Sequence, residues 1–181
     1  MTSIVIIIPS RLKAKRLPNK PLKLIGGKEI ILHVHNLAVK SGVGEVLVAT
    51  PDKAISELIK SNGGKSFISK ELHQTGTDRV FEAFKSFYSS KPKIIINLQG
   101  DMPNLDPDSI LFLGDYIKKG HCDVATLASP LKDNIEVKDE NIVKVITESN
   151  IEKSGFSEAI DFKRSIDETE NSFVYHHIGI Y

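Results

Sequence analysis

The sequence predicts an α/β protein built on a doubly wound, mostly parallel sheet. Short, nearly continuous apolar runs occupy 4–8, 45–50 and 93–98, and amphipathic helical segments follow them. A basic loop leaves the first run, and the polar loop Gln99-Gly100-Asp101 leaves the third. Continuous β-branched runs are typical of parallel strands that helices cover on both faces. Strands that alternate with helices indicate a parallel sheet, and such a sheet binds ligands beyond the carboxyl ends of its strands.

The first 130 residues are predicted to alternate in the order β-α-β-α-β-α-β-α-β. Proline 9 cannot donate to a sheet ladder and ends the first strand, and residues 21–25 form a short extended piece closed by Gly26-Gly27. The further strands are expected at 45–50, 66–69, 93–98 and about 122–127, and helices at about 29–41, 52–61, 80–87 and 107–118.

Two of these helices carry specific expectations. Asp52 precedes the apolar stripe of the second helix and is expected to be its N-cap, because aspartate is favoured there. The third helix is expected to bury Val80, Phe81, Phe84 and Phe87, which fall at helical spacing.

The pattern changes after Pro130. Residues 141–147 and 172–181 resemble strands, and the polar stretch 148–171 between them has weak periodicity. We expect a nucleotide-binding core over 1–130, a small excursion or dimerisation arm over 131–171 and a returning strand over 172–181. A mobile surface loop is the alternative for the excursion.

Composition narrows the class of protein. Lys plus Arg number 24 against 23 for Asp plus Glu, so positive charge is a local feature, which argues against general nucleic-acid binding. No apolar stretch is long enough to span a bilayer, which predicts no membrane association. The single cysteine, Cys122, excludes an internal disulfide and favours a reducing, cytoplasmic compartment.

The loop after the first strand is strongly basic. It contains no acidic residue and carries Arg11, Lys13, Lys15, Arg16, Lys20 and Lys23. A polyanion above the carboxyl end of the strand would meet a concentrated positive field, so we interpret the loop as a triphosphate cradle. A solvated basic loop or a nucleic-acid patch is the alternative.

Two other loops carry candidate site residues. In Gln99-Gly100-Asp101 the glycine allows close approach of a ligand and the carboxylate could hold a hard cation, although a strand-end aspartate is often only a helix cap. Gln99 could bind a base or a sugar hydroxyl, or only a neighbouring turn.

The segment 73–79 combines hydroxyl groups, a glycine and Arg79 at the start of a helix. This suits hydrogen bonding to a nucleotide, and the helix dipole adds positive potential. Alternatively, Thr75 or Thr77 simply caps the helix. His176-His177, just before the last apolar residues, are more often surface or core groups than ligands.

Four blocks of the sequence together resemble one family. The blocks are 8–11 with 16–22, 73–79, 97–101 and 177–181. In this order they resemble the 3-deoxy-manno-octulosonate cytidylyltransferases, or CMP-Kdo synthetases, and 73–79 separates these enzymes from other sugar nucleotidyltransferases. The likeness covers residues 1 to about 147 and resumes at 174–181.

The resemblance implies a nucleotide-diphospho-sugar transferase type of fold and a defined reaction. CTP and the acid sugar Kdo would give CMP-Kdo and pyrophosphate with Mg²⁺, in the cytoplasm, for lipopolysaccharide synthesis, in a homodimer. By motif, Arg11 and Lys20 would bind CTP phosphates, and Asp101 would hold Mg²⁺. The further substrate-binding residues that it implies are Ser10, Arg16, Gln74, Thr75, Gly76, Arg79, Gln99, His177 and Tyr181.

This chain departs from the family pattern at several positions. Met102 stands where the family has Glu, Asn19 where it has Gly, and Glu158 where it has Arg. The family continues beyond the position of Tyr181 with a helix, a strand and a second metal-binding aspartate in a Gly-Val-Asp-Thr context. We therefore expect a C-terminally truncated enzyme with poor turnover. The alternatives are another CTP-dependent acid-sugar enzyme, such as an acylneuraminate cytidylyltransferase, or a non-catalytic nucleotide-binding remnant.

Overall fold

The computed structural model describes residues 3–13, 17–70, 73–166 and 173–181. These residues form two compact units. The first contains the described residues up to Ala125 together with Ile180–Tyr181, and the second is Thr126–Gly179. The sequence placed the excursion at 131–171, inside the second unit.

The first unit contains six strands and four α-helices among the described residues. The strands are β1 (Ile4–Pro9), β2 (Leu24–Ile25), β3 (Lys28–Glu29), β4 (Glu45–Thr50), β5 (Lys65–Ile68) and β6 (Ile94–Asn97). The helices are α1 (Ile30–Lys40), α2 (Lys53–Ser61), α3 (Gly76–Phe87) and α4 (Pro107–Lys118), with a 3-10 turn at Lys20–Leu22.

The central sheet of the first unit is parallel, as predicted. Its strand order is β5-β4-β1-β6, and β1 pairs with β4 on one side and β6 on the other. Val5 and Ile7 of β1 belong to a buried cluster with Val80 and Ala83 of α3. On the opposite face, Ile8 of β1 and Ile31 of α1 are neighbours. Both side chains lie 3.5 Å from the position that a Cβ would occupy at Gly100. Helices therefore cover both faces, which confirms the doubly wound fold.

The strand order defines a topological switch point. From β1 the chain moves outward through β4 to β5, and it then returns to place β6 on the other side of β1. The crevice beyond the carboxyl ends of β1 and β6 is where a sheet of this class binds its ligands.

The second unit is an antiparallel sheet with two short helices. The strands are β7 (Leu127–Ser129), β8 (Lys144–Thr147), β9 (Ala159–Lys163) and β10 (Phe173–Ile178), and the helices are α5 (Asn134–Lys138) and α6 (Ile151–Ser154). Their order is β7-β10-β8-β9. Lys144 is fully buried, and its Nζ donates to the carbonyl oxygens of Asp139 (2.6 Å) and Arg164 (2.9 Å).

The predicted fifth strand at about 122–127 was wrong. Residues 122–126 are not in a strand, and β7 begins at Leu127 and pairs antiparallel with β10. An apolar run favours a strand but does not specify its partner, because strand pairing is decided by contacts distant in sequence.

The predicted buried face of α3 was partly wrong. Phe81 is 56% exposed and Phe87 is 38% exposed, whereas Arg79, Val80 and Ala83 are buried and Phe84 packs against the core. Val80 and Ala83 pack against Val5 and Ile7 of β1, so the buried face of α3 includes Arg79 and leaves Phe81 outside. Periodicity alone does not anticipate a buried arginine, because charged residues are rarely buried without partners.

Several smaller expectations are also corrected. Residues 21–25 are not one extended piece, because the 3-10 turn ends at Leu22 and β2 then pairs with β3 across Gly26-Gly27. The polar stretch 148–171 contains α6 and β9, which pairs with β8. The strands predicted over 141–147 and 172–181 are confined to β8 and β10. His176 and His177 lie inside β10 and do not precede a strand.

His177 makes the stability of the second unit depend on pH. Its Nε2 lies 2.9 Å from Thr126 Oγ1, and its ring meets the Phe162 ring edge-on at 4.9 Å. Burial, with the neighbouring charge of His176, lowers the pKa of His177. The folded state thus disfavours the protonated ring, and stability that is present above the ordinary pKa of about 6.5 is lost as the pH falls below it.

We expect the urea midpoint to fall between about pH 7 and pH 5, and to fall less in His177→Gln, which cannot take up a proton. The measurement is urea unfolding followed by circular dichroism at each pH. His121→Gln, at an exposed histidine, is the control and should keep the full pH dependence. An unchanged pH dependence in His177→Gln would show that another group is responsible.

Candidate active site

Three segments meet at the switch point of the first unit. They are the end of β1, the loop after β6 and the start of α3. A Cβ at Gly100 would lie 2.9 Å from the Pro9 carbonyl oxygen, and a Cβ at Gly76 would lie 3.2 Å from Pro9 Cγ and 3.8 Å from Gln99 Oε1. The two glycines therefore allow the three segments to approach closely. The structure thus brings the predicted residues Gly76 and Gln99 together.

The basic loop is held to the sheet by Asp52. The Leu12 N–H donates to Asp52 Oδ2 at 2.8 Å. Asp52 occupies the N-cap position of α2, as predicted, but its side chain makes no capping bond there. This tether was not among the predicted contacts, and no local signal in the sequence reveals it, because the partner lies 40 residues away.

Asn19 lies near the end of the basic loop and has an unusual backbone conformation. Its φ of 56° lies in the left-handed region, and its N–H donates to the Leu12 carbonyl oxygen at 3.1 Å. Asparagine tolerates this conformation better than most residues, and glycine tolerates it best. The departure from the family glycine at this position is therefore conservative for the backbone. Arg16, a predicted site residue, lies outside the described residues.

Lys20 and Asp101 form an ion pair across the switch point. Lys20 Nζ lies 2.7 Å from Asp101 Oδ2, and the side chains are 37% and 52% exposed. An ion pair this exposed contributes about 0–1 kcal/mol. A ligand that carries both phosphate and metal can therefore separate the two groups at little cost.

Arg11 and Arg79 place two positive charges near each other. Arg11 is exposed, and its Nη1 donates to the His73 carbonyl oxygen at 3.5 Å. Arg79 is only 3% exposed. Burial, followed by the charge of Arg11, lowers the pKa of Arg79, while Asp52 and Glu82 act in the opposite direction. The two carboxylates partly compensate the buried guanidinium.

Three buried polar atoms in this region have no hydrogen-bond partner in the described part of the chain. They are Ser10 Oγ, Asn97 Oδ1 and Arg79 Nε. Ser10 follows β1, Asn97 ends β6 and Arg79 lies in the first turns of α3. Buried polar groups are nearly always hydrogen-bonded, so these atoms are suited to a polar ligand. Asn97 was not among the predicted site residues.

The segment 73–79 caps α3 and also reaches the site. Thr75 Oγ1 accepts the Asp78 N–H at 3.2 Å and donates to Asp78 Oδ2 at 2.5 Å. Thr75 and not Thr77 is therefore the N-cap. Gln74 and Thr75 remain exposed, so capping and ligand contact are compatible.

Tyr181 lies beside the end of β6. Its N–H donates to the Asn97 carbonyl oxygen at 3.1 Å, and its carbonyl oxygen accepts the Asn97 N–H at 2.8 Å. Ile180 bridges to Leu98. Predicted site residue Tyr181 thus belongs to the first unit, whereas His177 belongs to the second.

The described carboxylates do not form a complete binding site for a magnesium ion. Among the described residues, no group of three or more His, Cys, Asp or Glu side chains is placed to hold a metal. Asp101 offers a single exposed carboxylate. Mg²⁺ usually keeps several waters and binds one or two carboxylates together with substrate phosphates. Asp101 therefore fits Mg²⁺ that arrives with a triphosphate.

None of the helices in the described ranges has the length and apolar character needed to cross a membrane.

The fold is that of a nucleotidyltransferase. The model of the cytidylyltransferase family matches residues 5–181, and the chain belongs to this family. Within it, the chain is a member of the 3-deoxy-manno-octulosonate cytidylyltransferases, which confirms the resemblance found in the sequence.

Relatives and a solved structure support this membership. The 3-deoxy-manno-octulosonate cytidylyltransferase of Azorhizobium caulinodans is 34% identical over 99% of this chain and 72% of the relative. The enzyme of that name from Wigglesworthia glossinidia brevipalpis is 37% identical, over 98% and 74%. The 8-amino-3,8-dideoxy-manno-octulosonate cytidylyltransferase of Shewanella pealeana is 38% identical, over 99% and 74%. The solved structure of CMP:2-keto-3-deoxy-manno-octonic acid synthetase complexed with CTP superposes with a TM-score of 0.84, at 34% identity, over 98% of this chain and 72% of that one.

Proposed function

We propose that this chain transfers CMP from CTP to Kdo, giving CMP-Kdo and pyrophosphate for lipopolysaccharide synthesis in the cytoplasm. The observation that carries the proposal is the meeting of the basic loop with Asp101 at the switch point, where Lys20 Nζ lies 2.7 Å from Asp101 Oδ2. Opposite charges at this place suit a triphosphate together with a divalent cation. Family membership supplies the nucleotide and the sugar class.

The proposed phosphate contacts come from the basic loop. Arg11, which is exposed, and Lys20, which is partly exposed, both lie in this loop. The Asp52–Leu12 bond holds the start of the loop near the carboxyl end of β1, which fixes the backbone next to Arg11. Ser10 Oγ, buried without a partner, is available to the nucleotide.

The reaction is an in-line displacement. The anomeric hydroxyl oxygen of Kdo bonds to the α-phosphorus, the bond between the α-phosphorus and the bridging oxygen of pyrophosphate breaks, and the hydroxyl proton passes to solvent water. For such a transfer the protein contributes mainly positioning and neutralisation of charge. Gln74, Gln99 and Tyr181, all in the first unit, are the residues that we propose line the sugar pocket. Mg²⁺, held by Asp101 and the phosphates, would neutralise charge on the reacting triphosphate.

Turnover tests the proposal directly. Pyrophosphate release is measured with purified protein, CTP and Mg²⁺, and with Kdo, 8-amino-3,8-dideoxy-manno-octulosonate or N-acetylneuraminate as the acceptor. We expect release with an octulosonate and none with N-acetylneuraminate. CTP binding without release from any acceptor would support a nucleotide-binding protein instead.

The loop cations should distinguish triphosphate from monophosphate. Arg11→Ala and Lys20→Ala should each weaken CTP binding about tenfold, because a hydrogen bond to a charged group contributes about 1.5–3 kcal/mol. CMP lacks the β- and γ-phosphates and should lose much less. Calorimetric titrations at one salt concentration measure both nucleotides.

Lys65→Ala is the control. Lys65 is exposed and pairs with Glu45 at the amino ends of β5 and β4, whereas the site lies at the carboxyl ends of the strands, so both affinities should stay unchanged. Equal losses for CTP and CMP in the loop variants would show that the loop does not hold the terminal phosphates.

Asp101→Asn should abolish the enhancement of CTP binding by Mg²⁺ while keeping the shape of the side chain. The carboxylate charge is what the hard cation requires. CTP titrations with and without Mg²⁺ give the enhancement, and Asp115→Asn, at an exposed aspartate of α4, is the control. If Mg²⁺ enhances binding equally in Asp101→Asn and the unaltered chain, another group holds the metal.

We also propose that two copies of the chain pair along β9. In the described sheet of the second unit β9 is an edge strand, and Ile160 and Phe162 are 64% and 45% exposed. Antiparallel pairing of two β9 strands about Phe162 would place Asp161 opposite Lys163 of the other copy. Opposite charges in directly opposed positions stabilise such a pair.

Phe162→Glu should convert the dimer into a monomer, because two carboxylates would then face each other at the centre of the pairing. Light scattering after size-exclusion chromatography measures the mass. Phe112→Glu, at a comparably exposed phenylalanine of α4, should leave the dimer intact. A dimer that survives Phe162→Glu would place the interface elsewhere, and a monomeric unaltered chain would exclude pairing.

A further inference from the structure

The carboxylate of Glu82 accepts hydrogen bonds from three residues that precede α3, Ser69, Lys70 and His73. It accepts the His73 Nε2–H at 2.8 Å, the Lys70 N–H at 3.0 Å and the Ser69 hydroxyl. The side chains of His73 and Glu82 are only 11% and 14% exposed. Glu82 lies in α3 outside the apolar stripe of Val80 and Ala83 that packs on the sheet, so its contacts serve this segment and not the apolar core.

These contacts require an ionised carboxylate. A carboxylate only accepts hydrogen bonds, and its two oxygens can accommodate the three donors. Burial acts to raise the pKa of Glu82, but the hydrogen bonds from Ser69, His73 and Lys70 outweigh it and hold the pKa below its ordinary value. With Glu82 ionised, His73 carries a proton on Nε2.

His73 also contacts the basic loop. The His73 carbonyl oxygen accepts the Arg11 guanidinium at 3.5 Å, so His73 contacts Glu82 through its side chain and Arg11 through its backbone. Glu82 also compensates the charge of buried Arg79, which Arg11 opposes. The carboxylate is thus linked to both arginines near the site.

We propose that Glu82 is a positioning residue for nucleotide binding. It fixes His73 so that the carbonyl of His73 orients Arg11 towards the terminal phosphates, and it keeps Arg79 compensated beside Arg11. Glu82 acts on nucleotide binding through these neighbours. This inference rests on the proposed function, because it requires Arg11 to meet the phosphates of CTP.

A double-mutant cycle tests the inference. The affinities of the unaltered chain, Glu82→Gln, Arg11→Ala and the double variant for CTP and for CMP are measured by calorimetry at one salt concentration. Glu82→Gln keeps the length of the side chain but loses its charge and one acceptor oxygen. We expect it to weaken CTP binding about tenfold and CMP binding less than about threefold. In the Arg11→Ala background the loss should shrink to less than about twofold, because the arginine that His73 orients, and whose charge opposes that of Arg79, is gone.

Three further variants separate positioning from structural support. His73→Ala removes the side chain that Glu82 holds and should weaken CTP binding as Glu82→Gln does, and the combination of the two should be no worse than either. Glu82→Asp keeps the charge and should restore part of the CTP affinity. Glu57→Gln, at an exposed glutamate of α2, is the control and should change nothing. Urea midpoints of all variants are measured alongside.

The outcomes are distinguishable. Equal weakening of CTP and CMP by Glu82→Gln, or a loss that persists in full without Arg11, would overturn the positioning role and leave Glu82 as a structural group. If Glu82→Gln does not fold, His73→Ala carries the same comparison. If Arg11→Ala alone leaves CTP binding unchanged, the proposed phosphate site itself fails. A loss in Arg11→Ala without coupling to Glu82 overturns only the present inference.

Discussion

The burial of β1 between two parallel neighbours is the constraint on which the rest of the first unit depends. Ile6, Ile7 and Ile8 are fully excluded from solvent, and pairing with β4 and β6 satisfies the strand on both edges. This fixes where the strand ends. The basic loop, the loop that carries Asp101 and the start of α3 therefore emerge at one edge of the sheet, which is the edge where sheets of this class bind ligands.

The charge of buried Arg79 is compensated by carboxylates that also hold the neighbouring loops. A buried arginine beside a second arginine is unfavourable unless carboxylates lie near it. Asp52 and Glu82 supply those charges, and each also accepts a backbone N–H, from Leu12 and Lys70. The groups that compensate Arg79 thus also hold the loops around it. Lys20 and Asp101 are more exposed, so their ion pair can be replaced by contacts of each side chain with a ligand.

Much of the fold and part of the site could be predicted from the sequence. The parallel strands of the first unit follow from continuous apolar runs, and the site edge follows from glycine and charged residues directly after β1 and β6. The exposure of Phe81 and the antiparallel pairing of β7 could not be predicted, because both depend on which surfaces meet. The tether from Asp52 to Leu12 and the contacts of Glu82 were missed for the same reason.

The sequence by itself determined the fold class, the family and the chemical character of the loops, because these depend on local composition and on short blocks of residues. Only the tertiary structure decided which charges neighbour each other. The pairing of Lys20 with Asp101 spans 81 positions, and the burial of Arg79 depends on the packing of α3 against β1. Such contacts arise when elements distant in the chain pack together, and no local pattern of residues specifies them.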